Sequence, residues 1–159
     1  MPVNSSTIVI RKAVREDAER IAFILSGAFA EFRHLYTLEA FNATVISPAK
    51  VIERMKEGDV WLAIHDGEAV GTVASTEKKD ALYIRGMAVL PKARGLKVGS
   101  CLLKHIEKEA MKKNYNQLLL STTPFLHTAI ELYKKYGFTK GHKEEFFGTD
   151  LFIMEKSLK

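Results

Sequence analysis

The chain has 159 residues, 47% of them hydrophobic and 27% charged, which is the composition of an ordinary globular protein. We expect one domain spanning residues 1–159. The net charge of +5 does not indicate a nucleic-acid partner, because the lysines are scattered in pairs and interleaved with acids. No apolar run has the length of a membrane span, and no set of cysteines and histidines has the spacing of a zinc site.

Two features bear on the cellular compartment. Residues 1–6 have neither the basic nor the apolar region of a secretory signal. The single cysteine, Cys101, excludes an internal disulfide and is typical of a reducing compartment. We therefore expect a cytoplasmic protein with no membrane partner and no metal. The sequence leaves open whether two copies form a homodimer.

The first half of the chain shows strand and helix patterns with clear boundaries. Ser47 and Pro48 suit the N-cap and first position of a helix, and Asp66-Gly67 suits the turn of a hairpin. Residues 33–46 mix aromatic and polar side chains and fit either a loop or short helices. We predict strands at residues 7–12, 60–64 and 69–75, and helices at residues 15–32 and 48–57.

The second half continues with four strands and two helices. A final hairpin is predicted around Gly148-Thr149-Asp150. The strands are predicted at residues 82–90, 117–122, 138–147 and 151–154, and the helices at residues 98–110 and 129–136. This order predicts an α/β fold with a mixed, mostly antiparallel sheet of about seven strands and about four helices on both faces. The first of these helices would join the fourth and fifth strands in parallel.

Residues 87–103 carry the clearest functional pattern: a strand, a basic turn with two glycines, and the start of an amphipathic helix. Backbone N–H groups at a helix N-terminus, with the positive end of the helix dipole, bind anions. Gly95 and Gly99 let a ligand approach the backbone, while Arg94 and Lys97 add positive charge. The pattern predicts a diphosphate-bearing ligand here. A plain strand-to-helix turn with a basic surface fits the same spacing.

This loop resembles the acetyl-CoA loop of the GNAT N-acetyltransferase superfamily. The family pattern is Arg/Gln-x-x-Gly-x-Gly/Ala, and Arg94 and Gly99 match its first and last positions. Lys97 takes the place of the middle glycine of the pattern. Neither the three-glycine dinucleotide motif nor a P-loop is present.

A second block, residues 129–138, resembles the family's "A-I-x-L-Y-x-x-x-G-F" helix. Gly137 suits a left-handed residue just after the helix, and Phe138 suits the apolar contact that follows it. The family often has an asparagine three residues before the alanine of this helix, and that position is Leu126 here.

The resemblance implies the GNAT fold, in which the fourth and fifth strands splay apart to admit the pantetheine arm of acetyl-CoA. It implies that the Val89 N–H lies at the thioester carbonyl and that Tyr133 is the general acid that protonates the sulfur. A core tyrosine bonded to the backbone is the alternative for Tyr133. The implied cofactor-binding residues are Met87, Ala88, Val89, Arg94, Gly95, Leu96, Lys97, Val98, Gly99 and Ser100.

The general base is not apparent from the sequence. Some family members have a glutamate twelve residues before the tyrosine, where this chain has Ser121, and others have one on the central strand, near Tyr83 or Arg85 here. None of these three is a carboxylate. Other sources, none of which the sequence favours, are Glu31, Glu39, Glu77, His34 or a water molecule.

The resemblance implies an N-acetyltransferase that moves an acetyl group from acetyl-CoA to a primary amine by direct transfer in a ternary complex. The acceptor stays open among amino acids, polyamines, drugs, peptide N-termini and lysines. The alternative is a CoA-binding sensor or interaction module without turnover, which Lys97, Leu126 and the missing carboxylate favour. A domain that binds a phosphate ligand other than CoA is a third reading.

Overall fold

The computed structural model describes residues 7–159. The expectation that residues 1–6 are not a secretory signal falls outside the described residues. The strands of the described chain are β1 (Ile8–Lys12), β2 (Asp59–His65), β3 (Glu68–Lys78), β4 (Ala81–Val89), β5 (Gln117–Thr122), β6 (Thr139–Phe146) and β7 (Thr149–Ser157). Its α-helices are α1 (Ala18–Phe29), α2 (Leu38–Thr44), α3 (Pro48–Glu57), α4 (Val98–Lys112) and α5 (His127–Lys135).

All seven strands form one sheet in the order β1-β2-β3-β4-β5-β7-β6. β4 and β5 run parallel, because α4 carries the chain back between them, and every other neighbouring pair is antiparallel. The predicted mixed, mostly antiparallel α/β fold is therefore confirmed, with five α-helices in the described residues where about four were expected.

The helices cover both faces of the sheet. Trp61 of β2 is paired with Val73 of β3, and Arg85 of β4 is paired with the next residue, Ala74. Because successive side chains along a strand alternate between the two faces, Trp61 and Arg85 point to opposite faces of the sheet. On the first face the Trp61 ring meets His105 of α4, with centroids 4.2 Å apart. On the second, Arg85 pairs with Glu57 at the end of α3. The largest fully buried side chains include Ile24, Leu62, Leu102, Ile106, Leu118 and Met154.

Several element ends differ from the sequence prediction, as where the predicted helix 15–32 is α-helical only from Ala18 to Phe29, and two further parts of the chain differ more. The ambiguous segment 33–46 forms the end of a 3-10 turn, Ala30–Leu35, followed by α2. The predicted final hairpin is confirmed as β6 and β7, but its turn is Phe147-Gly148, with φ of 50° and 84°, rather than Gly148-Thr149-Asp150. Thr149 already belongs to β7, where its hydroxyl accepts the Thr37 N–H at 3.0 Å. None of the helices formed by residues 7–159 is long and apolar enough to cross a bilayer.

Candidate active site

A cleft opens in the sheet where β4 and β5 part. The two strands pair only from Ala81 to Ile84 and from Gln117 to Leu120. Beyond Ile84, β4 is bulged at Gly86, which has a φ of 60°, and its register against β3 shifts. The later residues of β4 therefore follow β3 rather than β5, which leaves one edge of β4 without a strand partner.

The Val89 N–H points to this open edge. Leu90 donates its N–H to the Val70 carbonyl at 2.8 Å, on the β3 side. Because successive N–H groups along a strand point in opposite directions, the Val89 N–H faces the cleft. It is placed to donate a hydrogen bond to a ligand there.

The loop from β4 to α4 exposes a row of backbone amides. Gly95 and Lys97 take left-handed conformations, with φ of 86° and 66°. The first helical hydrogen bond of α4 runs from the Cys101 N–H to the Lys97 carbonyl at 3.1 Å. The amides of Val98, Gly99 and Ser100 consequently have no helical acceptor, which is the arrangement that binds anions at a helix N-terminus.

Arg94 connects this loop to the end of α1. Its guanidinium contacts Glu31 Oε1 at 2.5 Å and the Ala28 carbonyl at 3.3 Å, and the Arg94 and Glu31 side chains are about half exposed. A phosphate at Arg94 would compete with Glu31. Glu31, one of the candidates for a base, is engaged in this ion pair.

Tyr133 lies on α5, the helix that follows β5, and is only 7% exposed. Burial, with a smaller effect from the Tyr36 phenol, raises the pKa of Tyr133. The hydroxyl therefore stays protonated at neutral pH and can donate a proton but not accept one. α5 also borders the start of α4, since a Cβ at Gly99 would lie 3.0 Å from Leu132 Cδ2.

Two of the positions at which the resemblance would put a catalytic carboxylate carry hydroxyl groups. Tyr83 of β4 and Ser121 of β5 are hydrogen-bonded at 2.5 Å on the face of the sheet that α3 partly covers. Arg85 lies two residues beyond Tyr83 on the same face. The three positions are thus brought together, and none of them carries a carboxylate.

The remaining candidate bases are dispersed. Glu77 pairs with Leu82 in the register of β3 and β4, at the end of the sheet remote from Val89. Glu39 is exposed. His34 lines an open pocket of about 510 Å³ formed by Ala30, Arg33, His34, Tyr36, Leu38 and Phe41.

One residue at the site was not singled out by the sequence analysis. Arg54 of α3 lies over the β4 bulge, where a Cβ at Gly86 would be 2.5 Å from its Nη1. The sequence could have indicated this position, because Arg54 follows Val51 by one helical turn. Val51 is 1% exposed, so residues one turn away lie on the side of α3 that faces the sheet.

Comparison with known proteins identifies the fold family. Residues 56–140, more than half of the chain, match the family model described as "Acetyltransferase (GNAT) domain". The chain belongs to the GNAT acetyltransferase family. The GNAT resemblance of residues 89–99 and 129–138 is thereby confirmed, while the role of each site residue stays a prediction.

Two sequence relatives of this GNAT chain are named as acetyltransferases. The "Probable N-acetyltransferase camello" of Xenopus tropicalis is 32% identical over 121 residues, which cover 74% of this chain and 55% of that protein. The "IAA acetyltransferase" of Azospirillum brasilense is 36% identical over 101 residues, which cover 61% of this chain and 66% of that protein. The GNAT chain thus spans between half and two thirds of these relatives.

A solved GNAT structure matches the whole fold. PaiA N-acetyltransferase from Thermoplasma acidophilum, determined in complex with coenzyme A, aligns with a TM-score of 0.80 and 22% identity. The alignment covers 95% of this chain and 99% of that one. The likeness covers nearly all of the chain and shows the same fold.

Proposed function

We propose that this GNAT chain is an N-acetyltransferase that moves an acetyl group from acetyl-CoA to a primary amine by direct transfer, with residues 1–159 acting as one domain. The observation that carries the proposal is the cleft between β4 and β5. The Val89 N–H faces this cleft, and we place the buried, protonated phenol of Tyr133 on its other side. The anion site at the start of α4 lies just past the end of β4.

The residues present fit acetyl-CoA. The unpaired amides of Val98, Gly99 and Ser100 suit its pyrophosphate, and the edge of β4 from Met87 to Val89 suits its pantetheine arm. Lys97 and, after release from Glu31, Arg94 add positive charge. Bound acetyl-CoA supplies the thioester whose acyl group is transferred.

Two groups of the chain would act on the charge that develops during transfer. The Val89 N–H stabilises negative charge on the carbonyl oxygen by a hydrogen bond from a fixed donor. The Tyr133 hydroxyl gives its proton to the departing sulfur. Tyr83 and Ser121 can accept a hydrogen bond from the amine. Because a neutral hydroxyl is a weak base, we propose that the amine loses its proton to water.

A CoA-binding module without turnover is the alternative. It is favoured by the absence of a carboxylate at Tyr83, Arg85 and Ser121 and by Leu126, the N-cap residue of α5, whose side chain makes no capping hydrogen bond. Such a protein would bind acetyl-CoA but release no CoA thiol in the presence of any amine.

The test is a screen of amines with acetyl-CoA, measuring free CoA thiol and identifying the acetylated product by mass spectrometry. The panel includes amino acids, polyamines, aminoglycosides, peptides with free N-termini and lysine peptides. Tyr133→Phe prepared identically reports any contaminating activity. Product formation by the parent chain, reduced in the variant, is the expected result. Tight acetyl-CoA binding with no product across the panel would support the module instead.

A further inference from the structure

Two arginines cluster on the face of β4 that carries Tyr83. The Arg54 guanidinium covers the bulge, where a Cβ at Gly86 would lie 2.5 Å from Nη1. Arg85 follows Tyr83 by two residues along β4, so both side chains point to this face. The cluster therefore adjoins the Tyr83–Ser121 hydroxyl pair.

The positive charge of this cluster exceeds the negative charge around it. Glu57 Oε1 lies 3.1 Å from Arg85 Nη1, whereas Arg54 forms no ion pair with any residue in the described part of the chain. The Arg54 Nε is buried and has no hydrogen-bond partner. Burial and then repulsion by Arg85 lower the pKa of Arg54 to about 10, against a smaller opposing effect of Glu57.

A partly buried guanidinium without hydrogen-bond acceptors reduces the stability of the fold unless a bound group supplies the missing acceptors. Buried polar donors are nearly always hydrogen-bonded, and each one left without a partner retains its desolvation cost. Guanidinium groups also match carboxylates in geometry, because two parallel N–H donors meet two oxygens. The cluster thus has the charge and the free donors to hold an anion.

The cluster is separate from the anion site at the start of α4. Gly86 precedes Val89 by three residues, roughly 10 Å along a strand. The loop amides lie beyond the end of β4, in the opposite direction from Val89. An anion at Arg54 would therefore lie on the side of the hydroxyl pair, roughly 10 Å along β4 from Val89.

We propose that Arg54 and Arg85 bind a carboxylate of the amine acceptor, so that the substrate is an amine that also carries a carboxylate, as amino acids do. This inference rests on the proposed acetyltransferase function. It distinguishes the acceptor from polyamines and aminoglycosides, which carry only positive charge and would be repelled by the two guanidinium groups.

The experiment compares matched amines in the acetyl-transfer assay: amino acids, their carboxamides, and the corresponding amines without the carboxyl group. For at least one amino acid we expect kcat/KM to exceed that of its carboxamide by about tenfold or more, mainly through KM, as a charge-assisted contact predicts. Equal kcat/KM for the acid and carboxamide forms throughout the panel would overturn the inference while leaving the proposed function intact.

Variants test the two residues separately. Arg54→Gln and Arg85→Gln should raise KM for the acid form by about tenfold and leave KM for the carboxamide unchanged. Arg85→Lys should recover part of the loss. Arg11→Gln, which alters an exposed arginine paired with Asp17, is the matched control. Thermal unfolding confirms that each variant is folded. An equal loss on acid and carboxamide would mean that the arginines only support the fold.

A binding measurement tests the inference without turnover. If no amine is acetylated, the proposed function fails, and amino acids are titrated by calorimetry into the parent chain and Arg54→Gln, each saturated with CoA. Binding to the parent that weakens about tenfold in the variant would still support the carboxylate site. Absence of binding, or equal affinity in both proteins, would overturn it.

Discussion

Phe138, just after the end of α5, contacts Tyr133 through both its backbone and its ring. Its N–H donates to the Tyr133 carbonyl at 3.0 Å, and the two rings meet edge to face with centroids 5.9 Å apart. Gly137 between them has a φ of 94° and donates its N–H to the Lys134 carbonyl at 3.0 Å. This is a Schellman motif, and it confirms the predicted left-handed glycine. The helix end thus fixes the direction in which the Tyr133 ring points.

Replacing Tyr133 by phenylalanine should slow catalysis with little change in cofactor binding. Tyr133→Phe keeps the ring and its contact with Phe138 but removes the proton that the sulfur would receive. A thiolate leaves readily, so we expect kcat to fall by roughly ten- to a hundredfold, the low end of general acid catalysis. Steady-state kinetics and acetyl-CoA calorimetry are the measurements.

Tyr136→Phe is the matched control for this prediction. Its hydroxyl lies by Ser100, whose hydrogen bond lowers the pKa of Tyr136, one turn from Tyr133. We expect kcat close to that of the parent. A Tyr133→Phe enzyme with the parent kcat, under conditions where chemistry limits the rate, would refute the assignment and make Tyr136 the next hydroxyl to test.

Gly99→Val should block acetyl-CoA binding in a folded protein. A Cβ at Gly99 would lie 3.0 Å from Leu132 Cδ2 and 3.7 Å from Met87 Cε, in the space between α4, α5 and β4. A branched side chain there would fill the approach to the loop amides. Calorimetry should show a large loss of CoA affinity, while circular dichroism shows a native fold.

A double variant separates the two causes of such a loss. Leu132→Ala in the Gly99→Val background removes the side chain that the new methyl groups would displace. If α5 has merely shifted, CoA affinity returns; if the valine occupies the ligand's position, affinity stays low. Unchanged affinity in Gly99→Val itself would contradict the placement of the pyrophosphate.

Lys97 combines a charge with an unfavourable backbone conformation. Its φ of 66° is the left-handed region that the family's glycine adopts freely, at a cost for lysine of roughly 1–2 kcal/mol. Lys97→Gly should therefore stabilise the protein by about 1 kcal/mol in urea unfolding, whereas Lys97→Ala should not.

The same position tests the role of the charge in CoA binding. Lys97→Gly and Lys97→Asn, which both tolerate this conformation, should weaken CoA binding several-fold at low salt, with a smaller loss at high salt. Lys97→Arg should retain affinity. If Lys97→Gly binds CoA as tightly as the parent at low salt, the lysine side chain contributes nothing to the phosphate site.

The sequence predicted features that are set by neighbouring residues. β5 has the predicted bounds, and the N-cap at Ser47, the hairpin at Asp66-Gly67 and the helix end at Gly137 all depend on local backbone preferences. The order of these elements, with α4 between two parallel strands, then determined the fold class. The loop motif likewise indicated an anion site, because free amides at a helix start are a local property.

Features made by distant contacts were not predictable in this way. The segment that contains α2 is ordered by an aromatic cluster in which Tyr36 meets Phe125, with centroids 4.9 Å apart. The last turn is displaced because Thr149 bonds to Thr37, 112 residues away. Arg54 became part of the site only through its position over Gly86. No local pattern encodes which residues these side chains meet.

His105 should make the protein less stable at acidic pH. Its ring packs against Trp61 and its Nε2 is buried without a partner. Burial, together with Lys108 and Lys112 and against the effect of Glu109, lowers the pKa of His105 below 6.5. The unfolded chain therefore takes up the proton first as the pH falls. The stabilisation is complete above about pH 6.5 and is lost as the pH decreases through the folded pKa.

The measurement is the free energy of unfolding in urea at pH 8 and at pH 5, for the parent and for His105→Phe, which keeps a ring but cannot titrate. We expect the parent to lose more stability than the variant on acidification, by less than about 1 kcal/mol, since the His105 ring is only partly buried and solvent screens its charge. His142→Gln, at an exposed histidine beside Glu144, is the control for replacing a histidine outside the core. An identical pH dependence in the parent and His105→Phe would show that His105 takes up its proton as easily in the folded chain as in the unfolded one.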